Sequence, residues 1–204
     1  MIAVVDYGIG NLRSAEKALQ RTGAKAELVD DPEKVADAVG VVLPGVGDFG
    51  RCISALRSTG MDEAVRSIIA QGRPFLGICV GLQMLYEGSE EDPSVPGLGI
   101  LDGVVRKLPS SVKIPQMQWN TLKKTLARDS ILFEGLAEDT DIWVYFVHSY
   151  APEVTTSTTA VCEYGRIMTA AAERGSVYGT QFHPEKSGGV GLAILSNFVR
   201  RCGE

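Results

Sequence analysis

Short β-branched and apolar runs alternate with stretches of helical spacing through the first half of the chain, and this alternation restricts the fold more than any other feature. Ile2–Val5 reads as a strand. Asn11–Arg21 reads as a helix with Leu12, Ala15 and Leu19 on one face and Gly23 as its stop. Ala26–Val29 and Val39–Leu43 are further strands, and Met61–Ala70 is a further helix. Arg73-Pro74-Phe75-Leu76-Gly77-Ile78 is apolar enough for a strand covered on both faces, and Val80–Glu87 follows with helical spacing. Strand–helix alternation of this kind implies an α/β fold with a mostly parallel sheet and helices on both faces.

The second half changes character. Pro93-Ser94-Val95-Pro96-Gly97 and Pro109–Pro115 mark loops. Ile142–His148, Thr158–Glu163, Ile167–Ala172 and Ser176–Phe182 follow one another closely enough for antiparallel hairpins, and Val190–Arg201 closes as a helix. No repeat, low-complexity tract or linker interrupts residues 1–204, so a single domain is expected.

A net charge of −5 and the absence of any Lys/Arg run argue against a nucleic-acid or anionic-membrane partner. Met1-Ile2-Ala3-Val4-Val5-Asp6 lacks a basic flank and is too short for a signal peptide or a membrane span. Cys52, Cys79, Cys162 and Cys202 are scattered, and there are only two histidines, so neither a disulfide scaffold nor a zinc site is expected. A cytoplasmic location, with no metal and no cofactor, is the expectation.

Gly77-Ile78-Cys79-Val80-Gly81 lies where the buried strand meets the next helix, and it has the spacing of the G-x-S-x-G elbow with a thiol for the hydroxyl. Glycines on both sides permit a sharp turn, which holds the central residue in a strained conformation and aims it at a helix N-terminus. Cys79 is thus either a nucleophile or a small buried apolar residue, and a base decides between the two.

Two bases are available. His183 ends the Ser176–Phe182 strand and is followed by Pro184 and Glu185, whose carboxylate can orient the imidazole in a nucleophile–base–orienter arrangement. The alternative is a loop histidine beside a solvated glutamate. His148, inside Trp143–Tyr150, reads as a partly packed strand residue, so His183 is preferred.

Gly45, Gly47 and Gly50 spell G-x-G-x-x-G after the Val39–Leu43 strand, but the next strand ends in Gly77-Ile78-Cys79 and not in a ribose-binding acid. The Gly8–Arg13 loop fails the same fingerprint, because Arg13 stands in the third glycine position. A loop containing Gly45, Val46 and Gly47 beside the elbow suits an oxyanion hole better, with the N–H of Val80 as its second donor.

Taken together, Pro44–Gly50, Gly77–Gln83 and Gln181–Ser187 resemble the three signatures of class I (triad) glutamine amidotransferases. The finer text P-G-V-G-x-F-G and the opening Asp6-Tyr7-Gly8-Ile9-Gly10-Asn11 resemble the glutaminase subunits of imidazole glycerol phosphate synthase, an enzyme of histidine biosynthesis. The resemblance implies a flavodoxin-like fold and hydrolysis of L-glutamine through Cys79, His183 and Glu185. It implies that Gln83, Glu91, Ser149 and Tyr150 hold the glutamine. It also implies a heterodimer with the cyclase subunit, a (β/α)₈ barrel that makes imidazole glycerol phosphate and AICAR, met by Asn11, Met117, Trp119, Asn120, Tyr145 and Lys186.

Where the family reads P-H-M-G-W-N in its partner-facing loop, this chain reads Pro115-Gln116-Met117-Gln118-Trp119-Asn120. Three other readings stand beside this one. They are another glutaminase such as that of pyridoxal phosphate synthase, a cysteine hydrolase or stress protein of similar sheet architecture, and a non-enzymatic regulatory subunit.

Overall fold

The computed structural model describes residues 1–125, 130–136 and 141–203. Its strands are β1 (Ile2–Val5), β2 (Ala26–Val29), β3 (Gly40–Gly45), β4 (Phe75–Cys79), β5 (Gly88–Ser89), β6 (Val104–Lys107), β7 (Gln116–Lys124), β8 (Ile142–His148), β9 (Tyr150–Pro152), β10 (Thr158–Glu163), β11 (Ile167–Arg174) and β12 (Val177–Thr180). Its α-helices are α1 (Leu12–Arg21), α2 (Pro32–Ala36), α3 (Phe49–Ser58), α4 (Met61–Ala70), α5 (Val80–Gln83) and α6 (Gly188–Arg201). Among the described residues, nine strands form one sheet in the order β2-β1-β3-β4-β12-β11-β10-β7-β8, and β5, β6 and β9 form a small second sheet.

The first five strands in that order are parallel, and β11, β10, β7 and β8 each run antiparallel to the strand before. The α/β expectation, with its antiparallel C-terminal portion, matches this sheet. β1, β3, β4 and β12 are buried at every position, as parallel strands covered on both faces must be. Helix α1 packs on α6, and α2 and α3 pack on α4. No helix among the described residues is long and apolar enough to cross a membrane.

The sheet order reverses between β1 and β3, so the connections from these strands leave toward opposite sides. A crevice therefore opens at their carboxyl ends, where doubly wound sheets place their ligands. Gly45 and Cys79 are register partners at the ends of β3 and β4, and Thr180 pairs with Ile78 on the other side.

Three expectations are corrected. Helix α5 stops at Gln83, short of Glu87, because the returning segment captures the carbonyls that would extend it: Leu98 N–H bonds Met84 O at 2.8 Å and Ile100 N–H bonds Leu85 O at 2.8 Å. The Gln116–Asn120 segment is not a loop but the start of β7, paired with β8 from Gln116↔His148 to Leu122↔Ile142. His183 does not end a strand directly, since β12 closes at Thr180 and two residues, Gln181 and Phe182, intervene.

The elbow rests on glycine against backbone. A Cβ on Gly81 would run into the Leu43 carbonyl, and one on Gly77 would sit 2.6 Å from Gly81 O. Gly81→Ala is expected to lower stability by about 1–3 kcal/mol, the usual cost of overpacking a filled interior. A denaturant midpoint equal to wild type, at unchanged slope, would show that the turn accommodates the methyl group.

Candidate active site

Cys79 is the one residue other than glycine with positive φ among the described residues (φ 56°, ψ −111°). Such a conformation costs about 1–3 kcal/mol and persists only where the surroundings impose it. Here β4 ends in its final hydrogen-bonded register, α5 begins at the next residue, and Gly77 and Gly81 let the two segments touch. The thiol is turned to the carboxyl edge of the sheet and is 3% exposed. Helix α5 is a single turn, and the dipole contribution to a thiolate comes from the first turn in any case.

His183 reaches the same edge from beyond β12. Its backbone N–H bonds Tyr145 O at 3.0 Å, and its carbonyl accepts from Ser187 Oγ at 2.6 Å, while Tyr145 N–H donates to that same Oγ at 3.0 Å. Nδ1 lies 2.8 Å from Glu185 Oε1. A carboxylate only accepts, so Nδ1 carries the proton and Nε2 is left as the basic atom. Nε2 is buried with no partner in hydrogen-bonding geometry, yet close enough to Cys79 to feel its charge.

Burial by itself pushes the His183 pKa down. The interaction with Cys79, followed by that with Glu185, outweighs it and raises the imidazole to about 10. The Glu185 side chain is 1% exposed, and Asn11 Nδ2 gives its Oε1 a second hydrogen bond at 3.2 Å.

A cavity of about 250 Å³ opens beside the thiol. Its size is below the ~300–1,000 Å³ of drug-sized pockets, so it suits a small metabolite. Val46, Gly47, Val80, Gln83, Glu91, Ser149 and Tyr150 border it together with Cys79 and His183. Gly45 does not border it; it packs against the elbow, where a Cβ would come within 2.8 Å of Gly81 N. Gln83 Nε2 donates to Tyr150 O at 2.9 Å, and Glu91 Oε2 accepts from Phe49 N–H at 2.8 Å. Burial raises the Glu91 pKa, against the pull of that N–H.

The residues expected to face a partner fall in two groups. Met117 and Trp119 are exposed on β7, and the Trp119 ring stands edge-on to Tyr145 of β8 with centroids 6.1 Å apart. Asn11 and the exposed Lys186 flank Glu185. Asn120 is half-buried, and its Nδ2 bonds Glu163 O at 3.1 Å. Gln116 is fully buried beneath this face, with Nε2 at 3.9 Å from Cys162 Sγ.

Two residues at the site carried no assigned role in the sequence. Gln181, fully buried, donates from Nε2 to Cys79 Sγ at 3.7 Å and accepts from Gln83 at 3.0 Å. It stands two residues before His183, just past the end of β12, and that nearness in sequence is the signal for it. His148 is buried rather than partly packed. Burial pushes its pKa down to about 4, and its neutral ring donates from Nδ1 to Tyr150 O at 2.9 Å.

A strained thiol, a buried imidazole–carboxylate pair and a glycine loop at the carboxyl ends of parallel strands are the parts of a thiol-dependent acyl-transfer site. The family model described as glutamine amidotransferase class-I matches residues 3–202. Imidazole glycerol phosphate synthase subunit HisH of Moorella thermoacetica is 45% identical, over 99% of this chain and 97% of that protein. The subunit of the same description from Methanothermobacter thermautotrophicus is 47% identical, over 98% of each. A crystal structure of a glutamine amidotransferase, 21% identical, superimposes over the whole of both chains with a TM-score of 0.78. The chain belongs to the class-I glutamine amidotransferases and, within them, to the family of imidazole glycerol phosphate synthase subunit HisH.

The charge on Glu185 holds the proton on His183, so a neutral amide there must release it at lower pH. Glu185→Gln is expected to move the His183 titration midpoint down by about 1–3 pH units. Proton NMR can follow it cleanly, because His148 does not titrate near neutrality. An unmoved midpoint would mean that the carboxylate does not govern the imidazole.

Proposed function

We propose that this chain is the glutaminase subunit of an imidazole glycerol phosphate synthase in histidine biosynthesis. It hydrolyses L-glutamine and passes the ammonia to a cyclase subunit in a cytoplasmic heterodimer, working as one domain. The 2.8 Å contact of His183 Nδ1 with a fully buried Glu185, beside a thiol held at positive φ, carries this reading.

In the proposed reaction, the thiol proton passes to His183 Nε2 before the attack, which leaves the imidazolium that Cys79 and Glu185 stabilise, and Cys79 Sγ then attacks the side-chain carboxamide carbon of glutamine. Negative charge builds on the carboxamide oxygen, and the loop at Val46–Gly47 together with the Val80 N–H supplies hydrogen-bond donors for it. The C–N bond breaks as the imidazolium gives its proton to the departing nitrogen, which leaves as ammonia. Water, deprotonated by the same Nε2, then cleaves the glutamyl thioester to glutamate and restores the thiol.

Glu91 is the carboxylate on the cavity wall, and the substrate's α-ammonium calls for one there. The backbone at Ser149–Tyr150, braced by Gln83 and His148, faces the rest of the amino acid. Gln181, buried and not bordering the cavity, holds the sulfur through its 3.7 Å hydrogen bond.

Ammonia is largely protonated in neutral water and the ammonium ion is no nucleophile, so the product must travel shielded to its acceptor. The exposed Met117 and Trp119 and the half-buried Tyr145 form an apolar face beside the site, and Asn11 and Lys186 border it near Glu185. Docking of the cyclase here, with Asn120 at the margin, covers that face. The V-G-D-F text of the glycine loop favours this pathway over pyridoxal phosphate synthesis.

Glutamate release from glutamine is expected for the wild type with an imidazole glycerol phosphate synthase cyclase and its ribonucleotide ligand, to be far slower without them, and to vanish in Cys79→Ala. Turnover that depends on Cys79 but ignores the cyclase would keep the chemistry and reassign the pathway.

A further inference from the structure

Two polar side chains lie beneath the glycine loop, and the proposed reaction uses neither. Tyr7, just beyond β1, is 3% exposed and donates from its hydroxyl to Pro44 O at 2.9 Å. Cys52, in α3, is fully buried and donates from Sγ to Val46 O at 3.4 Å. Burial pushes the Cys52 thiol up to about 11 and raises the Tyr7 phenol further, so both remain donors at neutral pH. A thiolate or phenolate would repel these carbonyls, whereas the neutral groups bind them.

The consequence is geometric. In a trans peptide the carbonyl and the N–H of one plane point in opposite directions. Val46 O is drawn inward to Cys52, so the Gly47 N–H of the same plane points away from α3. Val46 and Gly47 border the cavity beside Cys79.

This plane is soft by itself, because Gly47 has φ +89° and no Cβ to resist rotation. Its neighbours are tied down: Asp48 Oδ1 accepts from Arg51 N–H at 2.8 Å, and Glu91 accepts from Phe49 N–H. Gly45 is wedged against Gly81, with the Tyr7 hydroxyl 3.1 Å from where its Cβ would be.

We propose that Cys52 and Tyr7 are positioning residues, whose thiol and hydroxyl set the peptide planes of the Pro44–Gly47 loop so that the Gly47 N–H faces the carboxamide oxygen of a substrate on Cys79. The inference rests on the glutaminase reading above. It gives a buried cysteine outside the triad a task in the reaction, and it requires a donor at position 52 rather than sulfur chemistry.

The experiment compares wild type, Cys52→Ala, Cys52→Ser and Tyr7→Phe, each as the full chain with the cyclase and its ligand. Two rates are read: glutamine turnover, and alkylation of Cys79 by iodoacetamide followed by mass spectrometry. Alkylation develops no oxyanion, so loop geometry does not enter it. Cys52→Ala and Tyr7→Phe are expected to lower kcat about tenfold, less than the ~10²–10³-fold loss on removing an oxyanion donor itself. KM and the alkylation rate stay near wild type, and Cys52→Ser, which keeps a donor, recovers most of kcat.

Wild-type kcat in Cys52→Ala, or turnover and alkylation falling in proportion, overturns the inference. If Cys52→Ala does not fold, the near-isosteric Cys52→Ser and Tyr7→Phe decide: kcat must be retained in the first and lost in the second. A wild type without turnover would overturn the glutaminase reading, and this inference with it. Active wild type with unaffected variants overturns this inference alone.

Discussion

The approach of β3 to the β4–α5 elbow is the contact on which the rest of this site depends. Gly45, Gly77 and Gly81 bring three stretches of backbone to distances that no side chain would allow, with Gly81 against the Leu43 carbonyl and Gly45 against Gly81 N. That closeness sets where Cys79 stands and holds it at positive φ. It also places the glycine loop after β3 immediately beside the sulfur. The energetic cost of the strained residue is spread over a core whose parallel strands are buried at every position.

Around this contact, the sheet order brings the remaining groups to one edge. β12 inserts between β4 and β11, so residues more than a hundred positions downstream arrive next to Cys79. Gln181 and His183 follow β12 directly, the first bonding Cys79 Sγ and the second Glu185. Burial then acts oppositely on the two histidines. His183 is charged by its partners in spite of its burial, while His148, with only a carbonyl to bond, is kept neutral and serves the backbone at Tyr150.

Much of this was legible from residue order because local and global preferences agree. Ile2–Val5, Ala26–Val29, Met61–Ala70, Ile142–His148 and Thr158–Glu163 have the predicted bounds, each being a run whose periodicity matches its burial. The elbow was legible because glycine spacing encodes a backbone requirement. β7 was not: its apolar Met117 and Trp119 face solvent while the polar Gln116 is buried, the reverse of the pattern by which a half-buried strand is read. Helix α5 was overrun because its end is dictated by hydrogen bonds from residues 98–101, which no local pattern encodes. Asp31-Pro32, a cap followed by proline at the first helical position, was a readable start for α2 that went unread. Tyr7 and Cys52 have no sequence signal, since each matters only through a carbonyl some 40 positions away or across a turn.

The proposed partner face and the site share backbone rather than merely lying close. Tyr145 presents its ring to Trp119 on the outer side of β8, and its own peptide groups bond the His183 N–H and the Ser187 hydroxyl. Ser187 in turn bonds the His183 carbonyl. Asn11, at the start of α1, bonds the same Glu185 oxygen that orients the imidazole. A load on either group of partner-facing residues therefore reaches the imidazole–carboxylate pair within one or two hydrogen bonds. The glycine loop sits on a separate support, Tyr7 and Cys52 below and Glu91 above. The chain thus has two distinct supports, one beneath the His183–Glu185 pair and one around the glycine loop.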